Sequence, residues 1–182
     1  GTVWPALGAV SLASPAWRAR GLARWTEKLP SNFLNLGLIA RALPRARFIH
    51  MSRAPMDVCF SNLRQLYGSI VPYSYDQREM AAYHHGYAAL MAHWRDLVGE
   101  RLLDVAHVDL VRDPETEARR VLRHCGLEYE PQVLAIAARG GAVSTASAAQ
   151  VRDGIRAKAQ PDWWPYRDRL QPLADALAQP SL

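Results

Sequence analysis

No apolar run in this chain of 182 residues approaches the roughly 18–20 residues that span a bilayer. Nothing in it therefore reads as a transmembrane helix. Cysteine is nearly absent. Cys59 and Cys125 are the only two, which excludes a disulfide scaffold and fits thiols buried in helices in a reducing, cytoplasmic compartment. No Cys/His cluster has metal-ligand spacing, and the adjacent His84 and His85 point to different faces of a helix. No metal is expected. Residues 1–15 are mildly apolar but lack a basic start followed by a cleavable core, so no signal peptide is read there. There is no internal repeat and no low-complexity tract.

What is present is a basic, globular composition. The net charge is +5 and the pI about 9.6, which suits an anionic partner. The arginines are scattered over several segments. That favours a phosphorylated small molecule over nucleic acid, the other anion to consider. The length suits one domain over residues 1–182. The Ala/Arg-heavy composition suggests a GC-rich bacterial genome.

Punctuation and periodicity give the elements. Residues 1–24, with Pro5 and Pro15 as breakers, read as part of a helical segment. Residues 24–28 read as a strand ending at the Leu29-Pro30 turn. Ser31-Asn32 supply an N-cap for an apolar helix that Pro44 ends. Residues 47–51 form a short buried parallel strand. A helix with Pro55 near its start covers 57–67, a loop covers 68–75, and a long helix covers 77–98. Residues 102–108 form a second strand. Asp113-Pro114-Glu115 open a helix that stops at Gly126: a capping Asp, Pro at the first position and acid in the first turn. Residues 139–149 are a small-residue loop, and the tail carries Trp163, Trp164 and Tyr166 before a short amphipathic helix. Tyr83, Tyr87 and Trp94, at helical spacing, read as core. Strands alternating with helices imply an α/β fold, a parallel sheet flanked by helices. Ligands of such sheets bind beyond the carboxyl ends of the strands, here just after Met51 and around His107.

The stretch after the first strand runs Ser52-Arg53-Ala54-Pro55-Met56-Asp57 and on to Ser61. A guanidinium there offers a fork suited to two phosphate oxygens. The helix start adds free N–H groups and a positive dipole end, and the serine adds a hydroxyl donor. An ordinary strand–helix junction with a solvent-facing arginine is the other reading of the same residues.

Arg-x-Pro-x-Asp with Ser61 eight positions after Arg53 resembles the 3′-phosphate motif of the sulfotransferases. Those enzymes use 3′-phosphoadenosine 5′-phosphosulfate as donor. Lys28-Leu29-Pro30-Ser31-Asn32-Phe33 resembles a Lys-x-Pro-x-Asn-Phe segment of the bacterial and tyrosylprotein-type branch. Residues 91–95, 109–115 and 145–152 are similar to segments of bacterial members. The resemblance implies a P-loop-NTPase-like fold and an activity, sulfuryl transfer to a hydroxyl or amine of a small-molecule or peptide acceptor. It implies no nucleic-acid or membrane partner.

The resemblance also implies roles. Arg53 and Ser61 would hold the 3′-phosphate, and Lys28 would stand by the bridging oxygen, where charge grows as the S–O bond breaks. Ser147, Gln150 and Arg152 would line the nucleotide. His107 occupies a place where the family often has a tyrosine near it. Each has a plainer reading beside it: a solvated lysine, a flexible Ser/Ala loop, a structural histidine in a strand. The chain departs from the branch at Ala54, Gln65 and Asp162, where the branch has an acid or amide, an arginine and a lysine. The larger departure is an expected absence. Nothing in residues 1–27 has the form of the Gly/Ser/Thr-rich phosphosulfate loop, and Glu27, beside Lys28, is a poor catalytic base. Loop, strand and base are expected upstream, in another part of a longer protein. A non-catalytic nucleotide- or protein-binding remnant and a fragment of a P-loop kinase are the alternatives.

Overall fold

The computed structural model describes Arg24, residues 26–135 and residues 160–179. Among these the regular elements run α1 (Leu36–Ala42), β1 (Phe48–Ser52), α2 (Pro55–Leu63), α3 (Gln77–Val98), β2 (Leu102–Ala106), α4 (His107–Arg112), α5 (Pro114–His124) and α6 (Gln171–Ala178), with short 3₁₀ turns between them. The two strands pair in one small parallel sheet flanked by helices. The architecture is α/β, as the alternation of elements implies. The chain divides into two compact units, Gly1–Ala46 with Gly86–Leu102 and Arg47–His85 with Leu103–Leu182.

In the first unit, Pro30 opens a 3₁₀ segment, Pro30–Asn35, that runs into α1. Leu29, not Ser31, is the cap, and no side chain bonds the helix start. Pro30 explains this. Its fixed φ suits a first helical position and it has no N–H to satisfy, so the turn begins ahead of the serine. Among the described residues of the expected strand at 24–28, no strand forms. Thr26, Glu27 and Lys28 are all exposed and without regular structure, and a strand needs a buried face. At the other end of α1, Arg101 donates to the carbonyls of Ala40 (3.2 Å) and Pro44 (3.0 Å), satisfying acceptors that a helix end leaves free. The later half of α3 packs here through aromatics. Trp94 Nε1–H donates to Phe33 O at 2.7 Å, and Phe33 meets Tyr87 edge-on at 5.2 Å.

The second unit carries the sheet and its own core. Cys59, Phe60, Met80, Ala81, Leu170 and Leu173 are buried together, with Trp163 and Leu177 packed against them. Gln77 ties the tail to α3: its Nε2 donates to Arg169 O, and its Oε1 accepts from Leu173 N, both at 3.1 Å. The Gln77–Val98 helix has the expected bounds, because Asp76 Oδ1 caps it by accepting from Arg78 N and Glu79 N. Asp113 caps α5 as expected, accepting from Thr116 N at 3.1 Å. Beyond Cys125, Gly126 takes φ 64°, and Leu127 N bonds Leu122 O at 2.9 Å. That is the left-handed C-terminal stop a glycine permits.

Three boundaries differ from the sequence expectation. Helix α2 ends at Leu63, not at residue 67. There the Asn62 side chain takes over, donating to Val58 O and accepting from Tyr67 Oη, both at 3.1 Å. The 68–75 stretch is wound into two 3₁₀ turns, Gly68–Ile70 and Pro72–Tyr75. Strand β2 stops at Ala106, and His107 and Val108 begin a helix. Val108 is 66% exposed, so no burial holds it in the sheet. Within α4, Arg112 pairs with Asp109 at 2.5 Å.

Gly37 sets a clear packing limit in the first unit. A Cβ there would lie 2.6 Å and 2.8 Å from two ring carbons of Trp94, and the Phe33 hydrogen bond holds that indole in place. Gly37→Ala gains about 1 kcal/mol of helix propensity but must displace a rigid ring, and overpacking of this kind costs about 1–3 kcal/mol. The variant should melt at or below the parent temperature. A clearly raised Tm would show that Trp94 is not held where the structure puts it.

Candidate functional site

The pairing of the two strands sets the level of their carboxyl ends. His50 Nδ1 lies 2.5 Å from Asp104 Oδ1, so these residues are neighbours on one face of the sheet. Because the strands run parallel, the residues three places further along each chain, Arg53 and His107, leave the sheet at the same level. Helix α5 braces this register. Arg120 Nη2 donates to Asp104 O at 2.8 Å and to Glu117 Oε2 at 2.6 Å, and His124 Nε2 lies 3.1 Å from Phe48 O.

Beyond β1 the backbone turns at Ala54 (φ −54°, ψ 137°) and enters α2 at Pro55. Proline brings the right φ and removes one donor. The first helical bond runs from Val58 N to Ala54 O at 3.1 Å, and no side chain caps the helix start. The N–H groups of Met56 and Asp57 are thus left at the positive end of the helix dipole. Arg53 is exposed, and among the described residues no carboxylate pairs with it. Asp57 and Ser61 stand four residues apart on one helix face, and both are half-buried. A fork-shaped cation, free amides and a hydroxyl in this order can receive a phosphate monoester.

His107 opens α4. Partial desolvation and then the Arg53 charge push its imidazole below the ordinary histidine range, while Asp57 pulls the other way. His107 itself is exposed at the start of the helix, where solvent screens these influences. Two other perturbed groups of this unit, Cys59 and Tyr73, are not chemically poised. Burial pushes the Cys59 thiol up to about 11, which keeps it protonated and inert. The Tyr73 phenol is raised by burial and by its bond to Tyr83, on which it stacks at 3.7 Å.

An open groove of about 450 Å³ lies beside the start of α2, lined by Pro55, Met56, Asp57, Trp163 and Leu177 among others. Sequence reasoning missed it, because its walls come from chain segments about a hundred residues apart. The tail also bears on α2 through Arg64, whose Nη2 lies 3.7 Å from Asp162 Oδ2. Asp162 stands among the departures from the sulfotransferase branch noted above, and Arg64 is next to another, Gln65. Here Arg64 and Asp162 form an ion pair.

Arg53, Ser61 and His107 fall in the second unit, and the register brings Arg53 and His107 to one level. His107 is not the strand residue the sequence suggests; it begins a helix, which frees it from the sheet ladder. Lys28 belongs to the first unit. It is exposed in the irregular segment before Pro30, with no described carboxylate paired to it. Ser147, Gln150 and Arg152 lie outside the described residues. Asp57, which enters the sequence reading only as the last residue of the Arg-x-Pro-x-Asp motif, is the residue that reasoning underrated. Its spacing of four from Ser61 was the available signal.

A two-stranded parallel sheet flanked by helices, with an exposed arginine just beyond the first strand, defines an α/β protein. The profile of the sulfotransferase family matches residues 4–131, more than two thirds of the chain, and the chain belongs to that family. An uncharacterized protein of Aquifex aeolicus (strain VF5) is 31% identical over 159 residues, which is 86% of this chain and 21% of the relative. The chain thus spans about a fifth of the length of that relative. No described helix is long and apolar enough to cross a membrane.

The cross-strand contact is open to a direct check. A double-mutant cycle with His50→Ala and Asp104→Ala should give a coupling of about 0.5–3 kcal/mol, the range for residues in contact. Additive effects would mean that the pair does not hold the register.

Proposed function

We propose that the intact protein moves a sulfuryl group from 3′-phosphoadenosine 5′-phosphosulfate to a hydroxyl or amine of a small-molecule or peptide acceptor, and that this chain carries the 3′-phosphate end of the donor site. The observation that carries this reading is Arg53. It is exposed at the carboxyl end of β1, unpaired among the described residues and next to the uncapped start of α2, in a chain of the sulfotransferase family. Family membership favours the enzyme or a binding remnant of its fold over a kinase fragment.

In this proposal Arg53 and Ser61 hold the 3′-phosphate, and His107 stands by the nucleotide. Ser147, Gln150 and Arg152 follow the nucleotide further. Lys28 stabilises the bridging oxygen as the S–O bond breaks. A cation placed where charge develops lowers the barrier more than it strengthens ground-state binding.

Calorimetry with adenosine 3′,5′-bisphosphate tests the reading. Arg53→Ala should weaken binding by about 1.5–3 kcal/mol, the scale of a hydrogen bond to a charged group. Equal affinity in the variant removes Arg53 from the site. In the protein that performs transfer, Lys28→Ala should reduce kcat by about 100-fold or more with a smaller effect on bisphosphate affinity. A loss of affinity with kcat intact would assign Lys28 to binding alone. Bisphosphate binding without any transfer to an acceptor would favour the binding remnant.

A further inference from the structure

We infer that Tyr166 is a positioning residue for the phosphate site: packed on Phe60, it fixes the rotation of α2 and with it the direction of the Ser61 hydroxyl. The inference rests on the donor reading above, in which Ser61 receives the 3′-phosphate, and adds to it a residue that acts without touching the donor.

Phe60 and Ser61 are adjacent on α2, so their side chains leave the helix about 100° apart. Fixing one fixes the other. Phe60 is buried in a core that α2 shares with Leu170 and Leu173 of the tail. Two groups bear on its ring. The Tyr166 ring lies 5.5 Å away, tilted by 31°, within the range of attractive aromatic pairs. The Arg64 guanidinium, one turn further along α2, lies 5.1 Å from the Phe60 centroid, and its Nη2 is 3.7 Å from Asp162 Oδ2. The tail therefore meets Phe60 directly through Tyr166 and indirectly through Asp162 and Arg64. The ion pair is partly exposed and weak on its own. The ring contact supplies most of the resistance to rotation. Tyr166 is 53% exposed, so it contributes the packed part of its ring.

The tail is itself anchored away from α2. Gln77 Nε2 donates to Arg169 O and Gln77 Oε1 accepts from Leu173 N, both at 3.1 Å, and His85 Nε2 lies 3.2 Å from Leu177 O. Gln77 and His85 belong to α3, so Tyr166 is held by reference to the long helix. Helix α2 needs that reference. It is nine residues long and no side chain caps its start. The Ser61 hydroxyl is placed by the rotation of the helix as a whole. A turn of about 20° moves a group about 4 Å from the axis by about 1.4 Å, which takes a hydrogen bond outside its working geometry. Arg53 precedes the helix and does not turn with it.

The test is calorimetry of the full chain with adenosine 3′,5′-bisphosphate, comparing Ser61→Ala, Tyr166→Ala, the two together, and Tyr166→Phe. Ser61→Ala should weaken binding about tenfold or more, the scale of a hydrogen bond to a charged group. Tyr166→Ala should weaken it about threefold to tenfold, a coupling of the size found between residues that share a partner. The two together should bind no more weakly than Ser61→Ala alone, because no hydroxyl is left to place. A merely structural role would make the losses multiply. Tyr166→Phe, which keeps the ring, should bind as the wild type does. Melting curves identify which variants are folded, and Tyr166→Leu, with the same expectation, replaces Tyr166→Ala if that chain is unfolded at the assay temperature. Losses that multiply overturn the inference, as does wild-type affinity in the folded Tyr166→Ala or Tyr166→Leu chain, or a loss in Tyr166→Phe. Wild-type affinity in Ser61→Ala overturns it as well and leaves the Arg53 part of the donor reading standing. No binding by the wild type overturns the donor reading, and this inference with it.

Discussion

The His50–Asp104 contact between the two strands is the constraint on which the candidate site depends. It links residues 54 apart in sequence, and a parallel pair has no tight turn to set its register. A slip of one residue would turn each side chain of a strand to the opposite face, and Arg53 would no longer stand level with His107. Helix α5 reinforces the same register from outside the sheet. Arg120 bonds the Asp104 carbonyl, and Glu117, only 8% exposed, neutralises the Arg120 charge at 2.6 Å. A buried carboxylate without that guanidinium would be costly, so packing of α5 and pairing of the strands support one another.

From that register the site follows by simple steps. Each strand ends in a short connection, and each connection delivers a side chain with hydrogen-bonding capacity to the carboxyl edge of the sheet, where α/β proteins place their ligands. Pro55 starts α2 at once, so amides reach the edge together with Arg53. The end of β2 at Ala106 does the same for His107. The candidate site offers the Arg53 guanidinium and the amides at the start of α2, and Asp57 opposes Arg53 in its effect on His107; on the proposed function these donors receive an anion.

Much of this was legible in the sequence because its signals are local. Pro55 and Pro114 mark helix starts, Asp113 supplies a side-chain cap, and Gly126 permits the left-handed stop. The long apolar periodicity of residues 77–98 identified a helix with the right bounds. Errors arose where local cues pointed two ways. Ser31-Asn32 look like a cap, but Pro30 begins the turn first. Leu-Leu-Asp-Val-Ala-His-Val reads as one alternating strand, yet only the part that the sheet covers stays extended. The residues that bear on the site from far along the chain gave no signal at all. Asp104 facing His50, Asp162 beside Arg64 and Trp163 in the groove wall are tertiary facts, set by packing and not by spacing.

On the proposed function, strand register brings Arg53, with Ser61 behind it, to the donor's 3′-phosphate and His107 to its nucleotide. A crystal structure of the chain with adenosine 3′,5′-bisphosphate tests it most directly. The account predicts the 3′-phosphate at the start of α2, bonded by the Arg53 guanidinium and the Ser61 hydroxyl, with the His107 ring within hydrogen-bonding distance of the bound nucleotide. A bisphosphate seated elsewhere, or held at this edge without Arg53, would contradict it.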